Sequence, residues 1–219
     1  MILEKQRQQV VEYCRLMQTR GLTKGTGGNI SVLDRELGLA AISPSGVEYA
    51  TMQPEDVVVV DLDGMIRDGA LIPSSELGMH LAIYRAREDL CAVVHTHSTF
   101  ATTVACANRA LPAVHYLIGY SGGDTVPCIP YYPFGSPELA QAAGDKYGEI
   151  PTLTALLLGN HGLITVGGTI DYAFSAAEEI EFVCELYYRQ LMMGGELHLL
   201  TSEQMEVVQH KFAAYGQKK

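Results

Sequence analysis

The sequence has few basic residues, no long apolar run and no closely spaced pair of cysteines. Only 15 Lys and Arg residues oppose 25 Asp and Glu residues, which gives a net charge of −10. This balance disfavours nucleic acid and anionic membranes as partners, because both attract proteins mainly through Lys and Arg. The longest apolar runs, at 57–60 and 155–158, have the length of strands and are too short to span a bilayer.

The cysteines and the N-terminal segment both favour a cytoplasmic location. The five cysteines are an odd number without a CxxC pair, which indicates reduced thiols. Residues 1–14 are charged from the start and lack the apolar stretch of a signal peptide. We therefore expect a cytoplasmic protein that binds a small molecule and neither nucleic acid nor membrane.

The distribution of apolar residues predicts one α/β domain over residues 1–219. Hydrophobic residues make up 47% of the chain and charged residues 18%, as in ordinary globular proteins, and no repeat or linker divides the chain. Helical patterns are found near 3–20, 75–87, 98–108, 171–193 and after 136 and 202. Strand-like segments lie between them, near 29–33, 39–42, 57–61, 91–97, 153–158 and 163–166. This alternation favours a central sheet covered by helices.

Four residues have the chemistry and placement of a metal site. His95 and His97 are two residues apart in a predicted strand, so both side chains point to the same face. His161 lies in a glycine-bracketed turn between two apolar strands, and Glu76 begins a helix expected to be capped by Ser74 or Ser75. Three imidazoles and one carboxylate form a plausible tetrahedral zinc set. Surface histidines and a favourable first-turn charge are the alternative interpretation.

The other histidines are weaker candidates. His80 follows Glu76 by four residues and could share its helix face, but a fifth ligand would leave little room for a substrate. His115, His198 and His210 have no metal-like partner nearby in the sequence, so we interpret them as structural or solvated.

Three short segments rich in Gly and Ser have the composition of anion-binding loops. They are residues 25–29, residues 43–46, and the pair Ser74 and Ser75 at a predicted helix start. Backbone N–H groups in such loops can hold phosphate oxygens, although each segment alone is equally typical of an ordinary turn. None of them matches a P-loop or a dinucleotide fingerprint. Together they suggest a small phosphorylated substrate.

The lysines exclude one route for carbonyl chemistry. A Schiff base requires a lysine in a desolvated pocket. The six lysines, at positions 5, 24, 146, 211, 218 and 219, all lie outside the apolar strand segments. Activation of a carbonyl group would therefore depend on a metal ion.

The chain resembles the class II aldolase/adducin-like family from end to end. The stretches that carry the resemblance are GLTKGTGGNISV (21–32), ISPSGVEYATMQPED (42–56), PSSELGMHLAIY (73–84), AVVHTHSTFATTVACANRALPAVHYLI (92–118), GGDTVPCIPYYPFGSPELA (122–140) and LLLGNHGLIT (156–165). The PSSE, HxH and HGL elements are highly specific in this order and spacing. The resemblance implies a single domain with a central, mainly antiparallel sheet flanked by helices.

The resemblance also implies roles for individual residues. It makes Glu76, His95, His97 and His161 the ligands of one zinc ion per subunit, with Glu76 serving in addition as the proton-transfer group. It implies phosphate contacts from Asn29, Ser45, Gly46, Ser74 and Ser75. Tyr116 of a neighbouring subunit would serve the aldehyde-side oxygen, and Phe134 and Tyr215 would line that side. Asn160 receives no role. A homotetramer with sites at the subunit interfaces is implied.

The expected reaction is retro-aldol cleavage of a ketose phosphate between C3 and C4. Within the family the resemblance is strongest to the members that act on L-fuculose 1-phosphate, so dihydroxyacetone phosphate and L-lactaldehyde are the expected products. An aldolase for a 5-deoxypentulose 1-phosphate is the main alternative, because a small change at the aldehyde end alters binding by only about 1–3 kcal/mol. A family epimerase or dehydratase, a non-catalytic adducin-like module and a zinc hydrolase are less favoured alternatives.

Overall fold

The computed structural model describes the backbone of residues 1–214 and the side chains of residues 1–212. One eight-stranded sheet runs through the molecule in the order β4-β3-β2-β1-β5-β8-β7-β6. Its strands are β1 (Asn29–Asp34), β2 (Leu39–Ile42), β3 (Val58–Asp61), β4 (Ile66–Asp68), β5 (Ala92–Thr96), β6 (Cys128–Ile129), β7 (Ala155–Leu158) and β8 (Gly162–Gly167). All neighbouring strands are antiparallel except β6 and β7. The prediction of a mainly antiparallel sheet flanked by helices is confirmed.

Helices cover both faces of this sheet. They are α1 (Glu4–Thr19), α2 (Leu77–Ala86), α3 (Thr99–Cys106), α4 (Pro137–Glu149), α5 (Ile170–Met193) and α6 (Ser202–Ala214). Helices α1, α3 and α5 bury their apolar residues on one face, and α2 and α4 do so on the other. Within β5, Val94 packs on the first face and Val93 on the second, as the alternation of side chains along a strand requires. His95 therefore points to the side covered by α2.

Three short elements lie outside the sequence prediction. Strands β4 and β6 have three and two residues, and a 3₁₀ helix spans Tyr116–Ser121. Segments this short carry too little periodicity to be recognised in a sequence. No helix within residues 1–214 combines the length and the apolar character that crossing a bilayer requires.

Candidate active site

The pairing of β5 with β8 brings three histidines together. His95 lies in β5, His97 follows the end of that strand, and His161 directly precedes β8. In the antiparallel register His95 stands opposite Ile164 and Thr96 opposite Leu163, so the turn that holds His161 lies beside the exit of β5. The ring centroids are 4.8 Å apart for His95 and His97, 4.8 Å for His95 and His161, and 5.1 Å for His97 and His161.

Glu76 completes the group from the start of α2. One carboxylate oxygen, Oε2, lies 3.1 Å from His95 Nε2, and the other, Oε1, lies 3.4 Å from His161 Nε2. The expected serine cap is wrong, because Glu76 itself occupies the N-cap position. The Ser74 hydroxyl instead accepts a hydrogen bond from the Glu76 N–H at 3.2 Å. This non-helical position turns the Glu76 side chain toward the histidines.

The four side chains fit a metal ion. One ligand atom from each of Glu76, His95, His97 and His161 can be chosen so that all four lie within 4.8 Å of one another. His95 donates from Nδ1 to the Leu163 carbonyl at 3.0 Å, which leaves its Nε2 free as a ligand. Glu76 Oε1 is buried and has no hydrogen-bond partner among the described residues. An unsatisfied carboxylate oxygen beside three imidazoles is an arrangement that a divalent cation satisfies.

The charge states of Glu76, His97 and His161 agree with this interpretation. Burial lowers the pKa of His97 and of His161 to about 4, with a further contribution from the neighbouring His95, so both are neutral near pH 7. Burial alone would raise the pKa of Glu76, but His95, His161 and the Asn29 amide outweigh it and hold that pKa well below its usual value. Burial disfavours a charge on His95, yet the Glu76 carboxylate raises its pKa. Ionised carboxylate and neutral imidazole are the forms that bind metal.

Two glycines allow the backbone to approach the histidines closely. Gly28 has a positive φ of 69°, and a Cβ there would lie 2.5 Å from the His95 carbonyl oxygen. A Cβ on Gly162 would lie 2.3 Å from the Thr96 carbonyl oxygen and 3.3 Å from His95 Cε1. Any larger residue at either position would displace the strand that carries His95.

The metal-binding group lies at the edge of a cavity of about 320 Å³. Backbone hydrogen bonds tie two of its loops together, because Ser45 N–H donates to the Ile72 carbonyl and Ser74 N–H to the Ser43 carbonyl. The residues that line the cavity are Thr26, Gly27, Gly28, Asn29, Pro44, Ser45, Gly46, Ser74, Ser75, Glu76, His97, Tyr131, Phe134, Asn160 and His161. All five residues expected to contact phosphate, and Phe134, thus share one cavity with three of the four expected metal ligands.

Tyr116, one of the residues expected on the aldehyde side, does not line this cavity. Tyr116 begins the 3₁₀ helix, is 48% exposed and packs against His115 and Phe212. Its action from a neighbouring subunit stays a prediction. Tyr215 lies outside the described residues.

The remaining histidines are separate from the metal-binding group. The His115 side chain accepts a hydrogen bond from Leu117 N–H and caps the 3₁₀ helix, while His198 and His210 are exposed. His80 is fully buried and bonded to Ser31 and Asn29. Burial and the neighbouring His95 lower its pKa to about 3, so it is neutral. The sequence suggested a shared helix face with Glu76, but Glu76 precedes the helix and His80 points toward β1.

Sequence analysis missed two cavity residues. Tyr131 lines the cavity from the loop that precedes α4, and no spacing rule marked it. Asn160, which received no role, has a positive φ of 53°. Its Oδ1 accepts a hydrogen bond from Asn108 Nδ2 at 2.6 Å. Since asparagine tolerates this conformation better than most residues, Asn160 shapes the turn that presents His161.

Comparison with known proteins gives the same family throughout. Residues 8–188 match the family described as Class II Aldolase and Adducin N-terminal domain. A 5-deoxy-D-ribulose 1-phosphate aldolase of Bacillus thuringiensis serovar kurstaki is 52% identical over 99% of this chain and 100% of its own length. A 5-methylthioribulose-1-phosphate/5-deoxyribulose-1-phosphate aldolase of Escherichia coli is 40% identical, over 96% of each chain.

A solved structure with the same fold is that of an L-fuculose 1-phosphate aldolase. It superposes with a TM-score of 0.88 at 37% identity, over 95% of this chain and 96% of its own. The chain therefore belongs to the class II aldolase and adducin family. Within it the chain is a class II aldolase, a metal-dependent lyase that acts on phosphorylated sugars.

Proposed function

We propose that this aldolase cleaves a 5-deoxypentulose 1-phosphate between C3 and C4. Counting carbons, the products are dihydroxyacetone phosphate from C1 to C3 and acetaldehyde from C4 and C5. The relative named for 5-deoxy-D-ribulose 1-phosphate is 52% identical, whereas the solved L-fuculose 1-phosphate aldolase is 37% identical. This difference favours the five-carbon substrate over L-fuculose 1-phosphate, the substrate favoured by the sequence motifs.

The observation that supports a ketose phosphate is the shared cavity. Glu76, His97 and His161 line it together with loops of small residues that carry N–H and hydroxyl groups. A ketose 1-phosphate offers a group for each, with a dianion at C1 and two oxygens at C2 and C3. In this proposal Ser45 and Ser75, which line the cavity, hold the phosphate, and the histidines receive the ketose oxygens.

The donor set supports zinc as the metal. A divalent ion at this site supplies Lewis-acid stabilisation of the negative charge that develops on the ketose oxygens. Glu76, His95, His97 and His161 would hold it, since three imidazoles and one carboxylate suit zinc. The C4 hydroxyl loses one proton as the C3–C4 bond breaks, and C3 gains one. The Glu76 carboxylate, which lines the cavity, would take up a proton and deliver it to C3.

The aldehyde side would be completed by a second subunit of a homotetramer. Phe134 is 70% exposed and Tyr131 56% exposed although both line the cavity, so their outer faces are open in a single chain. Tyr116 is also exposed, on a 3₁₀ helix away from its own cavity. We assign Tyr116 of the neighbouring subunit to the C4 oxygen, with Phe134 and Tyr215 beside the aldehyde carbons.

The substrate is tested by comparing kcat/KM for 5-deoxyribulose 1-phosphate and for L-fuculose 1-phosphate on zinc-loaded protein, with a chelator-treated sample as control. The aldehydes differ by one CHOH unit, for which a pocket discriminates by about 10–200-fold. We expect the five-carbon substrate to be preferred by a factor in this range. Preference for L-fuculose 1-phosphate would overturn the substrate, and activity that survives complete metal removal would overturn the metal site.

A further inference from the structure

A series of buried hydrogen bonds runs from Tyr84, in the last turn of α2, to Glu76. Tyr84 Oη lies 2.7 Å from Ser31 Oγ, and Ser31 Oγ lies 2.7 Å from His80 Nδ1. His80 Nε2 lies 2.5 Å from Asn29 Oδ1, and Asn29 Nδ2 donates to Glu76 Oε2 at 2.9 Å. All five residues are at most 5% exposed. The sequence did not indicate these hydrogen bonds, because they join residues that are far apart along the polypeptide. Asn29 and Glu76, for example, are 47 residues apart.

The direction of the hydrogen bonds follows from the orientation of the Asn29 amide. Its Nδ2 donates to Glu76 Oε2. The amide oxygen then faces His80, which must donate from Nε2. A neutral imidazole has one ring proton, so His80 Nδ1 accepts from the Ser31 hydroxyl. The Tyr84 hydroxyl donates to Ser31, whose Oγ at 2.7 Å and carbonyl oxygen at 3.0 Å are both within reach. Each donor therefore points along the series toward the metal-binding carboxylate.

We propose that His80 is a positioning residue that fixes the Asn29 amide and, through it, the Glu76 carboxylate. The Asn29 amide has two orientations of nearly equal shape, and the Nε2–H tautomer of His80 permits only the one that donates to Glu76. The flipped amide would place Oδ1 against Glu76 Oε2, where two acceptors repel. With Oε2 held by Asn29, Oε1 remains without a hydrogen-bond partner and faces His161.

The same arrangement prepares Asn29 for the substrate. Its Nδ2 carries two hydrogens, and Glu76 takes one of them. Asn29 lines the cavity, so the second hydrogen is available to an oxygen of the sugar phosphate. His80 thus orients a donor toward the substrate and a carboxylate toward the metal, although it contacts neither. The inference rests on the proposed metal site and not on the identity of the sugar.

The test is a matched pair of substitutions, His80→Gln and His80→Met. Both side chains are unbranched and of similar length, but only Gln has an N–H near the position of His80 Nε2. Zinc affinity is measured on metal-free protein by competition with a chromophoric chelator. We expect His80→Met to bind zinc about 10–100-fold more weakly than the native protein, as is usual when a residue that orients a metal ligand is lost. His80→Gln should stay within about threefold of native.

A control separates positioning from packing. Ile83 is fully buried on the same helix, outside this series of hydrogen bonds. Ile83→Ala should lower the unfolding midpoint at least as much as His80→Met while leaving zinc affinity native. Equal zinc affinities in the Gln and Met variants, or a loss in Ile83→Ala that matches His80→Met, would overturn the proposal.

Two further outcomes are distinguishable. If His80→Met does not fold, Ser31→Ala takes its place, since it removes the donor to His80 Nδ1 with little change in volume. Native zinc affinity in Ser31→Ala would then overturn the inference. If the native protein itself binds no zinc, the proposed metal site fails and the inference fails with it, whereas native binding with equal Gln and Met variants contradicts the inference alone.

Discussion

The two ends of the cavity differ in how firmly the fold holds them. At the metal end, Glu76 and His95 are at most 5% exposed, and each is fixed by hydrogen bonds to the sheet. At the aldehyde end, Phe134 and Tyr131 are more than half exposed and lie on a loop. In the proposed function the rigid end binds the ketose part of the substrate. The open end faces the aldehyde, and exposed loops of this kind can vary without disturbing the sheet.

The largest effect is expected from removing a histidine at the rigid end. His97→Ala should lose bound zinc and bring cleavage to the detection limit, because the remaining ligands hold a catalytic metal weakly. Metal analysis and a coupled assay for dihydroxyacetone phosphate measure the two losses. His198→Ala, at an exposed position, is the control and should match native protein. Full zinc occupancy in folded His97→Ala would remove His97 from the ligand set.

Glu76→Gln, also at the rigid end, should separate zinc binding from proton transfer. The amide keeps an acceptor oxygen but cannot carry a proton, so zinc-saturated protein should lose about 10²–10⁴-fold in cleavage. It should also fail to exchange the C3 proton of dihydroxyacetone phosphate with deuterated solvent, a half-reaction that needs no aldehyde. NMR on metal-loaded protein follows the exchange. Normal exchange would leave Glu76 a ligand only.

Tyr116→Phe tests the open end and should show the opposite pattern. Cleavage should fall by about 10²-fold, at the low end for general acid–base catalysis, while exchange of the C3 proton survives. Because Tyr116 is proposed to act in a neighbouring subunit, refolding a mixture of Tyr116→Phe and Glu76→Gln chains should restore activity. A hybrid oligomer would contain sites that combine the native Glu76 of one chain with the native Tyr116 of its neighbour. Failure of active hybrids to form, with mixed oligomers present, would overturn the assignment of Tyr116 to the neighbouring subunit's site.

The smallest effect is expected from Phe134→Leu. Phe134 is largely exposed in one chain, so its loss should change the preference between 5-deoxyribulose 1-phosphate and L-fuculose 1-phosphate by less than about tenfold. Zinc content and exchange should remain native. Relative kcat/KM values for the two substrates provide the measurement. A loss of more than about 100-fold on both substrates would mean that the two ends of the cavity are not independent.

The sequence predicted the residues of the rigid end well because local geometry determines them. Histidines two residues apart in a strand share a face in any sheet, and a histidine in a glycine-bracketed turn is presented at a strand end. The structure does bring His95, His97, His161 and Glu76 together. Their role as zinc ligands, and the phosphate and aldehyde contacts, stay predictions.

Only the tertiary structure decided what surrounds these residues. The pairing of β1 with β5 sets Asn29 opposite His95, and the packing of α2 on the sheet sets His80 beside Asn29. Neither contact follows from local periodicity, because both join segments about 50 residues apart or more. For the same reason the sequence suggested His80 as a possible metal ligand, whereas in the structure His80 forms hydrogen bonds with Ser31 and Asn29. Local spacing determines which side chains can act, and long-range packing determines how each one is oriented.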